Sequence, residues 1–155
     1  MRTTQHCVVA LLTALALAPA AAVAGEWRNG AAPDQHHVFA SYDNNGVSLV
    51  VTCDTVSKHV SISVVDPKAR WPQGQVIDVI TLPDSGQEVS PGHGYVIGPT
   101  QFTVNQQAAF DLWTMAQAKS AFRLSAGDYV RSYPADNFRA AIEPVLDACG
   151  ERWDN

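Results

Sequence analysis

Phe138, Ile142, Val145 and Cys149 recur at steps of four, three and four residues near the end of the chain. That spacing lays one apolar stripe along a helix. The stripe ends in a cysteine, and Gly150 follows where a helix is expected to stop. A helix whose buried face ends in a thiol constrains the rest of the chain, because the surface it covers should supply a partner. Cys53 ends an apolar, β-branched run that starts at Val47, the composition of a strand. The expectation is a mostly β domain whose last helix is tied to an early strand by a Cys53–Cys149 disulfide. The alternative for these thiols is catalysis or metal ligation, for which the chain offers no Cys-x-x-Cys spacing.

The third cysteine, Cys7, belongs to a different kind of segment. Met1 to His6 is a short basic start, Cys7 to Ala18 is apolar, and Ala22-Val23-Ala24 precedes Gly25. These are the three regions of a secretory signal peptide. Residues 1–24 are therefore expected to be removed, leaving 25–155 as a single periplasmic or secreted domain. The competing reading is a buried or membrane-anchoring first helix, but the apolar run is short for a bilayer. Cys7 stands at the front of that run, away from any cleavage point, so lipid attachment is not expected. In an oxidising compartment the surviving isolated pair, Cys53 and Cys149, most simply forms one bond. Closing so long a loop contributes about 4–5 kcal/mol at most.

Charge narrows the partners. Without Arg2, nine basic residues face fifteen acidic ones, a net charge of -6. An acidic surface argues against nucleic acid or anionic lipid as a partner. No further membrane segment is visible after the signal, and no cofactor or metal is expected.

The remaining segments place the strands. Gly25 to Gln35 is an irregular lead-in, with Trp27 expected to plug one edge of the core. His36 to Tyr42 alternates, and Asn45-Gly46 separates it from Val47–Cys53, a strong hairpin signal. His59 to Val65 and Gln75 to Leu82 are further strands, with room for a short one near Glu88 and Val89. Tyr95–Ile97 and Gln101–Val104 are placed to pair across Gly98-Pro99-Thr100. The period changes over Asn105 to Ser120, predicting a helix of about four turns with Ala108, Leu112, Met115 and Ala116 inward and Phe110 and Trp113 near the stripe. Phe122 to Tyr133 predicts strand, turn and strand. The last helix starts at a cap near Asp136, or at Ser132 with Pro134 in its first turn. Pro144 either kinks it or splits it after Glu143. The fold class expected is α+β, mainly an antiparallel β-sandwich or open barrel with two helices, the last one C-terminal.

Candidate chemistry is sparse. His36 and His37 are adjacent, so a strand points them to opposite faces. A metal site would have to join one of them to His59 and an aspartate. His93, between two glycines, is the weak candidate for acid–base work, with Asp84 or Glu88 as its partner. The bland reading of Gly92-His93-Gly94 is a turn with an exposed imidazole. No Gly-x-Ser-x-Gly, phosphate loop or His-Glu-x-x-His occurs. Aromatic and arginine residues are the better hint, since they often anchor interfaces. Arg70 and Trp71 lie in the turn-rich stretch Lys68–Gly74, and Tyr129, Arg131 and Tyr133 share one face of a strand. The bland alternative is that Trp71 caps the core and the tyrosines pack on the last helix.

Four features together resemble the small exported proteins of Gram-negative bacteria related to the invasion-associated locus B family. They are a signal peptide followed by Trp27, a strand ending in lone Cys53, the segment Phe122-Arg123-Leu124, and the closing helix Phe138-Arg139-Ala140-Ala141-Ile142. The pattern spans most of the mature chain. The resemblance implies a periplasmic or envelope β-rich domain linked to host association or envelope function, and it carries no catalytic residue to any position here. The expected role is a non-enzymatic module that binds another protein or an envelope component, as adaptor, accessory factor or inhibitor. Its alternatives are a small hydrolase or ligand-binding protein using His93 or His59 with a nearby carboxylate, and a structural envelope oligomer.

Overall fold

The structure, a computed structural model, describes residues 25–86, 92–105 and 108–151. The expected signal segment and the short strand around Glu88 and Val89 lie outside the described residues. The strands are β1 (Trp27–Ala31), β2 (His37–Asn44), β3 (Val47–Asp54), β4 (His59–Val65), β5 (Val76–Pro83), β6 (Gly92–Gly98), β7 (Gln101–Val104), β8 (Ala121–Ala126) and β9 (Tyr129–Pro134). Two helices complete the fold, α1 (Ala108–Met115) and α2 (Phe138–Cys149). The strands form one antiparallel sheet in the order β1-β2-β3-β4-β7-β6-β5-β8-β9, which is not closed into a barrel.

Local chemistry accounts for the pairings that are close in sequence. Asn45 (φ 53) and Gly46 (φ 79) both take positive φ and join β2 to β3 with Asn44 opposite Val47. Those dihedrals match the twist of a two-residue hairpin. Along β3 the pattern strictly alternates, with Val47, Leu49, Val51 and Cys53 buried. The opposite face, Ser48 to Asp54, is half-buried, so the sheet has one inner face.

That inner face is enclosed by curvature. Nine strands at about 4.8 Å spacing would hold the edges of a flat sheet nearly 40 Å apart. Instead Trp27 Nε1 of β1 donates to the Pro134 carbonyl of β9 at 2.8 Å. Trp27 also packs against Tyr42 and Phe138, with ring centroids 5.4 and 4.6 Å away. Both helices pack on the inner face, α2 against β1 to β4 and α1 against β4 and β5. The Cys53–Cys149 disulfide joins the C-terminal end of α2 to β3 across 96 residues, with a Cα–Cα distance of 5.7 Å. Beside it, Lys58 Nζ donates to the Ala148 carbonyl at 2.8 Å, and Gly150 closes the helix at φ 79. A cation and a left-handed glycine both satisfy carbonyls that a helix end leaves open.

Several expectations need correction. The lead-in contains an edge strand, β1, while Trp27 plugs the core as expected. Helix α1 has eight residues instead of four turns. Its C-terminal continuation is drawn off by Asp84, whose carboxylate accepts from the backbone N–H groups of Lys119, Ser120 and Ala121. Trp113 faces outward and is half exposed. Helix α2 starts at Phe138 with Asn137 at its N-cap in the left-handed conformation, and Asp136 does not cap it. It runs through Pro144 as one helix. Ala140 and Pro144 both lie on its exposed side, where water can meet the carbonyl that proline leaves unpaired.

Candidate functional site

The stretch from Asp66 to Gly74, between β4 and β5, is held by backbone bonds to the β6–β7 hairpin. Asp66 N–H donates to the Thr100 carbonyl, Trp71 N–H to Pro99 and Gly74 N–H to Val96, all at 2.8 to 2.9 Å. Asp66 uses both carboxylate oxygens. One accepts from Lys68 N–H at 2.8 Å and sets the local turn; the other accepts from Arg131 Nη2 at 3.0 Å. This buried aspartate ties the stretch to β9.

Between the stretch and the β8–β9 turn lies a cleft of about 460 Å³. Its floor is Trp71, Ile77, Ala126 and Tyr129, and its rim carries Lys68, Arg70 and Asp128. Trp71 meets Phe102 edge to face at 4.9 Å and Tyr129 at 5.2 Å, so the floor is a packed aromatic surface. Arg70 Nη1 donates to the carbonyls of Pro67 and Ala69, which holds the guanidinium at the rim. The arrangement suits an apolar group flanked by charge.

Of the residues expected at an interface, Arg70, Trp71 and Tyr129 line one cleft, with Arg131 behind it. Trp71 is buried at 8% exposure, as the core-capping alternative has it, and it still contributes to the cleft floor. Tyr133 is corrected, being 1% exposed and stacked on Phe122 at 5.7 Å, so it offers no surface. Its hydroxyl lies 3.1 Å from that of Tyr129, and burial raises both phenol pKa values. The alternation of β9 explains this, because residues 129, 131 and 133 all face inward as the strand curls. Asp66, Ile77, Ala126 and Asp128 were missed. The Asp66-Pro67 pair marks a strand end in sequence, and its link to Arg131 is tertiary.

The polar candidates do not converge. His93 lies on β6 and not in a turn. A Cβ on Gly94 would stand 2.9 Å from Val79 Cγ2, so only glycine lets the strand pass there. His93 therefore points outward, where Nδ1 lies 3.1 Å from Asp78 Oδ1 in an exposed pair. Asp78, not Asp84, is its carboxylate, and Glu88 lies outside the described residues. His59, Asp54 and His37 share a row across three strands. His37 bonds Asp34 at 3.1 Å instead, and among the described residues no group of three His, Cys, Asp or Glu is placed to hold a metal.

Asp84 has a structural role. The Ser120 hydroxyl and then the Lys119 N–H are the main donors that hold its carboxyl far below the usual range. A depressed carboxylate stabilises the fold above its unfolded pKa, and that contribution is lost as the pH falls toward the folded value. Asp84→Ala is expected to lower the thermal midpoint at pH 7 and to flatten the acid side of its pH profile, measured by circular dichroism. An unchanged acid limb would count against the clamp.

No described helix is long and apolar enough to cross a membrane. No family model matches the chain, and comparison with curated proteins and with solved structures gives no significant match.

Proposed function

We propose that the mature chain is a non-enzymatic periplasmic or secreted module that binds a protein or envelope component through the cleft beside Trp71. The observation that carries this reading is the composition of the cleft. An aromatic floor is ringed by Lys68, Arg70 and Asp128, while His37, His59 and His93 lie elsewhere on the outer face of the sheet. Interfaces commonly place an aromatic or aliphatic anchor in an apolar pocket with a charged rim. The locus B-like pattern belongs to the same proposal and supplies its envelope setting. The size of the cleft also suits a small ligand, and that is the second reading.

The test leaves the buried tryptophan in place. The pair Lys68→Glu and Arg70→Glu is introduced into the mature protein, and a thermal melt establishes that it folds. Capture from a native envelope extract is then compared with the parent. The expected result is one stoichiometric protein partner, whose affinity falls at least tenfold in the variant. Equal capture by both forms would reject the cleft as its docking site. A co-purifying small molecule, with no protein partner, would favour the second reading.

A further inference from the structure

We propose that the seam between α1 and β5 is a proton-controlled latch, in which protonated Asp111 holds the helix on the sheet and ionised Asp111 loosens it. Asp111 is 1% exposed, and its Oδ1 accepts from the Thr81 hydroxyl at 3.2 Å. Its Oδ2 is buried with no hydrogen-bond partner among the described residues. A neutral hydroxyl left unpaired in an apolar seam costs far less than an ionised oxygen. Among the described residues, the two strands packed against α1, β4 and β5, turn no compensating charge toward it. β5 turns Val79, Thr81 and Pro83 inward, and β4 turns Val60, Ile62 and Val64 inward. The titratable groups on these strands, Asp78 and His59, lie on the opposite, exposed face. Thr81 is thus the one polar side chain facing Asp111 from either strand among the described residues.

Burial pushes the Asp111 carboxyl up to about 6, against the pull of the Thr81 bond. A raised acid binds its proton more tightly in the docked state. The stabilisation is full below the ordinary carboxylate range and is lost as the pH rises toward 6. This is opposite in sign to Asp84 and falls in a different window. Only two turns of helix are involved, so the segment can open without the whole domain.

Hydrogen exchange of the α1 amides, corrected for intrinsic rate and referenced to β3, tests the latch in the full mature protein. Opening that exposes Asp111 should reduce α1 protection roughly fiftyfold between pH 4 and pH 7, with most of the change below pH 6. Asp111→Asn should hold α1 docked across that range. Thr81→Val, which removes the donor favouring the ionised form, should move the midpoint upward and serves alone if Asp111→Asn fails to fold. Flat protection in the parent, superimposable profiles for parent and Asp111→Asn, or an unmoved midpoint in Thr81→Val would overturn the proposal.

Discussion

Replacing both Cys53 and Cys149 with alanine should lower the unfolding free energy by up to about 4–5 kcal/mol and the thermal midpoint by up to roughly 15 °C. The size follows from loop length. The bond closes 96 residues, which takes in most of the sheet and all of α1. Without it the unfolded chain regains the freedom that closure removes. Single domains are stable by only about 5–15 kcal/mol, so the loss is a large share of the total. Cys53 is fully buried and Cys149 is 6% exposed, so alanine keeps the seam apolar at both ends. Urea unfolding of the folded double variant measures the effect. A loss under about 1 kcal/mol would mean that β3 and α2 are already held together in the unfolded ensemble.

Trp27→Ala should cost about 4 kcal/mol, within the usual range for emptying an aromatic site. Trp27 fills the space where the two sheet edges meet, 6% exposed among Tyr42, Phe122 and Phe138. Its indole N–H is also the hydrogen bond that bridges β1 and β9. Trp27→Phe separates the two contributions. It keeps part of the ring packing and loses the bond to Pro134, so about 1–2 kcal/mol is expected from the missing bond. Hydrogen exchange should show β1 and β9 opening first in Trp27→Ala. Even loss of protection across all nine strands would indicate that the edge contact has no local role.

The candidate cleft was half legible. Arg70, Trp71 and Tyr129 stood out as aromatic and cationic residues near turns, and the structure gathers them. Burial of Trp71 was one of two readings open in sequence, and the choice was tertiary, because it depends on Phe102 and Tyr129 arriving from distant strands. Asp84 was paired with His93 on nearness in sequence, yet it bonds residues 35 to 37 positions away. Asp78 reaches His93 through the register of β5 and β6, which no local pattern encodes.

Local chemistry determined the elements. Alternating apolar residues set β3, β4 and β5 within about a residue at each end, Asn45-Gly46 set the first hairpin, and the four-three-four stripe set the buried face of α2. Two isolated cysteines after an expected export signal pointed to the one disulfide described. These outcomes rest on periodicity, turn conformation and thiol count, which are properties of neighbouring residues or of composition. Tertiary structure decided the strand order, with β4 beside β7 and β5 beside β8. It decided the curl that brings Trp27 to Pro134, the shortening of α1 by Asp84, and the side of the sheet on which each tyrosine and histidine falls. Each depends on contacts between segments tens of residues apart. There, packing of the enclosed face and satisfaction of buried polar groups outweigh local preference.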